Sequence, residues 1–262
     1  MSPKLSVTQF SHCLVRHPAS SVTDGLRAID VGAPKLLDVQ AEHRAYIAAM
    51  KAAGVAVDIL PALEDFPDSI FVEDAALTFP NGAILLRPGA PSRRMETQHI
   101  APDLNRHFDT IIELPNPGFV EGGDVLRAPN KIMIGLSERT NLTGASALIG
   151  CLKKLGLNGE IVQTPPNVLH FKSDCSLLDD NTVFTTRRLA VSGIFKGLKT
   201  VFVPDGEEAA ANALRVNDIV MIGDNFKQSI DLLDGLGYNL VPLPTTEIGK
   251  IDAGLSCMSL RW

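Results

Sequence analysis

The stretch "DAALTFPNGAILLR", residues 74–87, decides the fold. It reads as a short apolar strand, a Pro-Asn-Gly turn and a second apolar strand, which is the pattern of a β-hairpin. The same pattern occurs three more times. "GDVLRAPNKIMIG" (123–135) turns on Pro-Asn, "CSLLDDNTVFTT" (175–186) on Asp-Asp-Asn and "ALRVNDIVMIG" (213–223) on Asn-Asp. The hairpins recur at intervals of roughly 40–50 residues, the spacing of repeated supersecondary units. Amphipathic helices lie around them. "TNLTGASALIGCLKKLG" (140–156) sets Ala147, Leu148, Cys151, Leu152 and Leu155 on one face. It ends in Lys153, Lys154 and Gly156, as a helix C-terminus should. The strand "EIVQT" follows. "NFKQSIDLLDGLG" (225–237) leads likewise into "YNLVPL", and "QAEHRAYIAAMKAAG" (40–54) into "VAVDIL".

Units of this kind share a core when they stack or close on themselves. A fifth hairpin forms if "SCMSLRW" at the end of the chain pairs with "HCLVRH" near its start. That closure would remove the exposed sheet edges and bring Cys257 to the centre. The expectation is one α/β domain over residues 1–262: a five-bladed α/β propeller of ββαβ modules, closed by the terminal strands. An open α/β sheet is the alternative. Against it, no GxGxxG follows a strand, no P-loop is present, and the strand pairs read as hairpins rather than crossovers.

Composition narrows the function. The formal net charge is −6, and no basic block tracks a phosphate backbone, so nucleic acid is not an expected partner. The four cysteines, Cys13, Cys151, Cys175 and Cys257, form no CxxC pair and fit neither a zinc knuckle nor a disulfide framework. The N-terminal "MSPKLSVTQFSHCLVRH" lacks the apolar core of a signal peptide, and no run approaches a membrane span. A cytoplasmic protein with no membrane partner is expected.

In a closed ring the inner ends of the strands face one cavity. "FPDSIFVEDAAL" puts Asp68, Glu73 and Asp74 there, "GFVEGGDVLR" puts Glu121 and Asp124, and "VLHFKSDCSLL" puts His170. Each has an ordinary reading alone: a turn aspartate, solvated strand-end acids, a hydrogen-bonded core histidine, a buried cysteine. Arg93 and Arg139, each between a hairpin and a helix, read alone as solvated arginines. Their equivalent places in successive modules make the joint reading stronger. A thiolate whose pKa is lowered by a nearby imidazolium is a nucleophile. A histidine can protonate a departing amine and then activate water. Glu121 would orient that histidine and raise its pKa. Several carboxylates in a dry cavity are costly without a cation, and a planar guanidinium meets them with paired N–H donors. The two arginines would hold the α-carboxylate at the other end. The inferred substrate is arginine-like and is attacked at the guanidino carbon.

These motifs, "FPDSIFVED", "RPGAPSRR", "EGGDV", "GLSERTN", "LHFKS" and "DAGLSCMSL", resemble those of the dimethylarginine dimethylaminohydrolase family, within the guanidino-group-modifying (pentein) superfamily. The resemblance runs from "LVRHPASSVTDGL" to the last residues. It implies a five-bladed α/β propeller, with Cys257 as nucleophile, His170 as general acid and base, and Glu121, an Asp in some relatives, supporting the histidine. It places Glu73 and Asp74 beside the guanidinium and Asp68 as a further substrate contact. Arg93 and Arg139 would bind the carboxylate and nearby polar groups. Leu26 would sit in a loop that closes over the ligand, and the Ile251 backbone would meet the α-amino group. The implied reaction converts Nω-methylated arginines to citrulline and dimethylamine or methylamine through an S-alkylthiouronium on Cys257. It implies a small-molecule partner and no cofactor or metal; zinc at Cys257 and His170 would inhibit. A homodimer is compatible with the sequence, which does not fix the oligomeric state.

Three rivals stand beside this reading. An arginine deiminase would act on unmethylated arginine, but that family usually carries an added helical domain for which 262 residues leave little room. A non-catalytic pentein module, such as those that bind the ribosome, would lack the nucleophile and the acidic cavity. A metal hydrolase would show HxxxH or clustered Cys/His spacing, which is missing.

Overall fold

Turn chemistry fixes the hairpins. In the computed structural model, which describes residues 7–166 and 168–262, Phe79 pairs with Gly82 across Pro80-Asn81, and Ala128 with Lys131 across Pro129-Asn130. Val216 pairs with Ile219 across Asn217-Asp218, and Asn217 takes φ 52°, the left-handed conformation such a two-residue turn needs. The expectations that rest on residues 1–6, the absence of a leader and the first part of the 1–262 domain, lie outside the described residues.

The chain opens with β1 (His12–Arg16), α1 (Leu36–Ala52) and β2 (Ala56–Leu60). Three modules follow: β3 (Ala76–Phe79), β4 (Gly82–Leu85), α2 (Glu96–Leu104), β5 (Ile111–Glu113); β6 (Val125–Ala128), β7 (Lys131–Leu136), α3 (Leu142–Lys154), β8 (Gly159–Gln163); β9 (Cys175–Leu177), β10 (Thr182–Thr185), α4 (Arg187–Ala190), β11 (Lys199–Phe202). A fourth holds β12 (Leu214–Val216), β13 (Ile219–Gly223), α5 (Lys227–Gly235) and β14 (Leu240–Leu243), before β15 (Leu260–Arg261). Each hairpin is antiparallel, and the strand after each helix returns parallel to the hairpin's second strand. The result is five three-stranded sheets. The fifth joins the two ends of the chain: β15 lies antiparallel to β1, with Cys13 opposite Arg261 and Leu14 opposite Leu260, and β2 lies parallel to β1. The fold is a five-bladed α/β propeller closed by its terminal strands.

Helix boundaries follow local chemistry. The Asn141 side chain accepts from Gly144 N at 2.8 Å and caps α3. Leu148, Cys151, Leu152 and Leu155 pack against Ile84, Val125 and Ile134, while Ala147 is only half-buried. The helix read over 40–54 begins earlier, at Leu36. Between β10 and β11 the helix is a single turn.

What positions the site is smaller than these elements. A 3₁₀ turn precedes each inner strand: Val72–Asp74, Gly122–Asp124, Phe171–Ser173, Glu208–Ala211 and Leu255–Met258. Three of these turns are tied to a neighbour by an Asp or Asn that stands one or two residues before an inner strand. Asp74 Oδ1 accepts from Gly123 N at 2.8 Å, Asp124 Oδ1 from Phe171 N at 2.8 Å, and Asn212 Oδ1 from Ser256 N at 2.9 Å. Asp174, at the equivalent place before β9, bonds instead to Thr186 and Arg188 of its own blade. Below the turns the five inner strands surround a chamber of about 810 Å³, counting space open to solvent.

Candidate active site

Above the turns lies a second cavity, of about 370 Å³ counting space open to solvent. It brings together Leu26, Asp68, Asp74, Arg93, Arg139, His170, Ile251 and Cys257, joined by Phe71, Leu169, Asp252 and Ala253. Glu121 lies directly behind His170 and is fully buried. His170 Nε2 donates to Glu121 Oε2 at 2.7 Å. The same carboxylate accepts from Ala90 N at 2.9 Å through Oε1. The imidazole packs on Gly123, where a Cβ would come within 2.8 Å of the ring. Burial alone would lower the pKa of His170, but Asp74, Glu121 and Asp124 overcome it and raise it to about 9. The imidazole is therefore an acid at neutral pH. Burial opposes the charge on Asp74, yet Arg93 and His170 hold its carboxyl down at about 2. Burial also opposes ionisation of Glu121, and its bond to His170 prevails and lowers its pKa.

Asp74, Glu121 and His170 have ligand atoms within 4.8 Å of one another. Their hydrogen bonds already use that capacity. Asp74 is bonded to Arg93 and Gly123 N, Glu121 to Ala90 N, and His170 carries a proton a metal would have to displace.

The two arginines divide in role. Arg93 is 4% exposed and committed to its surroundings. It bonds Glu96 through Nε and Nη2, Asp74 through Nη1, and the carbonyls of Phe71 and Asp68 through Nη2. Of its five N–H groups, one on Nη1 remains for a ligand. Arg139 is looser: its Nη1 lies 3.4 Å from Glu121 and its side chain is 21% exposed. Asp68 Oδ1 accepts from Leu26 N at 2.9 Å. Asp252, left-handed at φ 56°, accepts from Ala28 N on the same loop. The Leu26 loop is thus pinned over the cavity from two sides. The turn bearing Ile251 is held by Glu42 of α1, whose carboxylate accepts from Glu247 N and Ile248 N.

Glu73, expected beside the guanidinium, is not among the side chains that line this cavity. It turns into the floor between the two cavities, 2.5 Å from Lys172 Nζ, 3.0 Å from Arg261 Nη2 and 3.0 Å from Ser256 Oγ. Neighbouring residues of a 3₁₀ turn point in different directions, and two cations and a hydroxyl from other blades hold this one down. The surroundings of Cys257 oppose ionisation of its thiol. Burial pushes its pKa up to about 12, and Glu73 and Asp74 add to the rise. Three residues were not read from the sequence at all: Asn212, Lys172 and Ser256. Asn212 Nδ2 donates to Lys172 O at 2.8 Å and to Ser256 Oγ at 3.2 Å. That one amide joins the turn after His170 to the turn bearing Cys257. The sequence holds a signal for it, since "NALR" stands where "DAAL" and "DVLR" stand in other modules.

Comparison with known proteins agrees with this fold. The family model described as N,N dimethylarginine dimethylhydrolase, eukaryotic, matches residues 36–156. The N(G),N(G)-dimethylarginine dimethylaminohydrolase of Pseudomonas aeruginosa is 37% identical over 97% of this chain and 100% of its own length. A crystal structure of the Pseudomonas aeruginosa enzyme, a cysteine-to-serine mutant complexed with citrulline, superposes with a TM-score of 0.94 at 36% identity, covering 97% of this chain and 100% of that one. The N-terminal domain of ArgZ, a cyanobacterial arginine dihydrolase, shares the fold at 19% identity, with a TM-score of 0.83 over 95% of this chain and 96% of that domain. The chain belongs to the dimethylarginine dimethylaminohydrolase family of the pentein superfamily, hydrolases of the C–N bonds of linear amidines.

Proposed function

We propose that the chain hydrolyses Nω-methylated arginines to citrulline and dimethylamine or methylamine, with Cys257 as the covalent nucleophile. The observation that carries this reading is a protonated His170, backed by buried Glu121, sharing a cavity with Cys257 and Asp74. An entering guanidinium lies against Asp74 and Asp68. Its charge offsets the carboxylates that hold the thiol protonated, so substrate binding itself favours the thiolate. The thiol proton passes to solvent and the sulfur adds to the guanidino carbon. His170 gives its proton to the methylated nitrogen, the C–N bond breaks, and the amine leaves. The S-alkylthiouronium stays on Cys257. His170, now neutral, takes a proton from water as the oxygen adds to the same carbon. The C–S bond then breaks, the hydroxyl proton is released as the carbonyl forms and the thiol takes one up again, and citrulline departs.

Arg139 takes the α-carboxylate, helped by the spare N–H of Arg93. The Ile251 carbonyl receives the α-amino group. No step calls for a cofactor, and zinc at Cys257 and His170 would compete with substrate.

The test is citrulline release from asymmetric dimethylarginine, monomethylarginine and arginine at matched concentrations. Faster release from a methylated substrate is expected. Faster release from arginine would support the deiminase reading, which the shared fold leaves open.

A further inference from the structure

The chamber below the catalytic floor has a composition of its own. Its walls are mostly apolar, from the five inner strands, yet four cationic side chains reach it: Arg127, Lys172, Arg215 and Arg261. Among the described residues Glu73 is the one carboxylate on its lining, and it is already divided between Lys172 and Arg261. Arg127 and Arg215 have no ion-pair partner among the described residues, only the carbonyls of Thr78 and Asn217. Arg127 lies 5.0 Å from the Phe79 ring and 5.6 Å from the Phe10 ring, and its Nε and Nη1 make no hydrogen bond among the described residues. Burial and the nearby Arg261 charge bring its pKa down to about 10, as expected where positive charge is in excess. One further group is unpaired. Ser176 Oγ, on β9, is buried on the chamber wall with no hydrogen-bond partner among the described residues, and the residue is 8% exposed.

Half-buried cations with no ion pair among the described residues, and a buried hydroxyl with no hydrogen bond among them, are each costly in a largely apolar chamber. Both costs are relieved by one kind of ligand: an anionic head that accepts from Arg127 and Ser176, on a body that covers the aliphatic wall. We propose that the chamber is a second ligand site, for a small organic carboxylate. Its head would meet Arg127 and Ser176 Oγ, and its body would lie along Leu77, Leu126 and Leu177. A bare inorganic anion would leave that wall in contact with water. Glu73, Lys172 and Ser256 separate this site from the catalytic cavity.

The experiment is calorimetric titration of the full chain with hexanoate, with 1-hexanol as the uncharged control. Saturable binding of hexanoate and none of hexanol is expected. Arg127→Met should weaken hexanoate about tenfold or more, the scale of one charge-assisted hydrogen bond. Ser176→Ala should weaken it about threefold or more while leaving the thermal midpoint in place, since that hydroxyl bonds nothing in the free protein. This second variant keeps the test valid if the loss of Arg127 impairs folding. Arg139→Ala, in the upper cavity, should leave hexanoate binding unchanged. The proposal is overturned if no saturable heat is seen or if hexanol binds as well as hexanoate. It is equally overturned if Ser176→Ala has no effect, or if Arg139→Ala abolishes binding and so places hexanoate in the upper cavity.

Discussion

His170 holds its proton because negative groups surround it, and this sets the pH behaviour of single residues. With its pKa raised to about 9, His170 supplies a proton at neutral pH and loses that ability as the pH climbs through 9. The alkaline limb of kcat/KM should therefore fall near that value. Glu121→Gln removes a hydrogen-bonded charge from the imidazole, so the limb should move to lower pH and kcat should drop by about 10²–10⁴-fold. An unmoved limb in the pH–rate profile of the variant would detach Glu121 from the histidine. Cys257 behaves in the opposite way in the free enzyme. Its thiol, pushed up to about 12, should react slowly with iodoacetamide at neutral pH and faster as pH rises. Peptide mapping of the alkylated protein checks this, and rapid labelling of Cys257 at pH 7 would contradict it. At this scale much of the site was legible. No residue stood out alone; the joint pattern and the family motifs pointed to Cys257, His170, Asp74, Asp68 and Arg139, which line one cavity, and to Glu121, which bonds His170 from behind. The direction of Glu73 was not legible. It depends on Lys172 and Arg261, which arrive from other parts of the chain.

At the scale of elements, the 3₁₀ turns decide the geometry, and the grip of one turn on the next decides the turns. Asn212 is the joint between the His170 and Cys257 sides. Asn212→Ala leaves Ser256 N and Lys172 O without their partner, at a cost of about 1–3 kcal/mol in stability. Because it touches no substrate, its effect on activity should be a fall in kcat with KM little changed. Steady-state kinetics and thermal melts separate the two effects; a rise in KM at constant kcat would place Asn212 in binding instead. Gly123→Ala should also be nearly inactive, because its Cβ would meet the His170 ring at 2.8 Å. Hairpins were easy to read because turn residues and apolar runs mark them within a dozen positions. The turns were not, since three residues show no periodicity. Helix α2 was read only as a helix following Arg93, without bounds, for a related reason: nine residues with Pro102 inside, burying only Glu96, Ile100 and Leu104, give a faint pattern.

Over the whole molecule, closure of the ring ties the ends of the chain to the chemistry. Cys257 lies three residues before Leu260, where β15 begins, so the pairing of β15 with β1 anchors the turn that bears Cys257. Ending the chain at Ser259 should remove that anchor and the buried Leu260, lowering stability by about 2–5 kcal/mol in denaturant titration, as for deletion of a large core side chain. The fivefold repeat made this closure legible, since four hairpins in the middle required a partner from the two ends. The charge network has a global consequence too. A histidine whose folded pKa is raised from 6.5 to about 9 stabilises the fold fully below pH 6.5 and ceases to do so as pH rises through 9. The stability difference between the native chain and His170→Gln should shrink over that range.

The measurement closest to the central claim is the mass of the protein quenched in acid during turnover of monomethylarginine. Digestion should show the peptide containing Cys257 heavier by the substrate less methylamine. An unmodified Cys257 peptide during turnover by the native chain, with undiminished citrulline release by Cys257→Ser, would contradict the account.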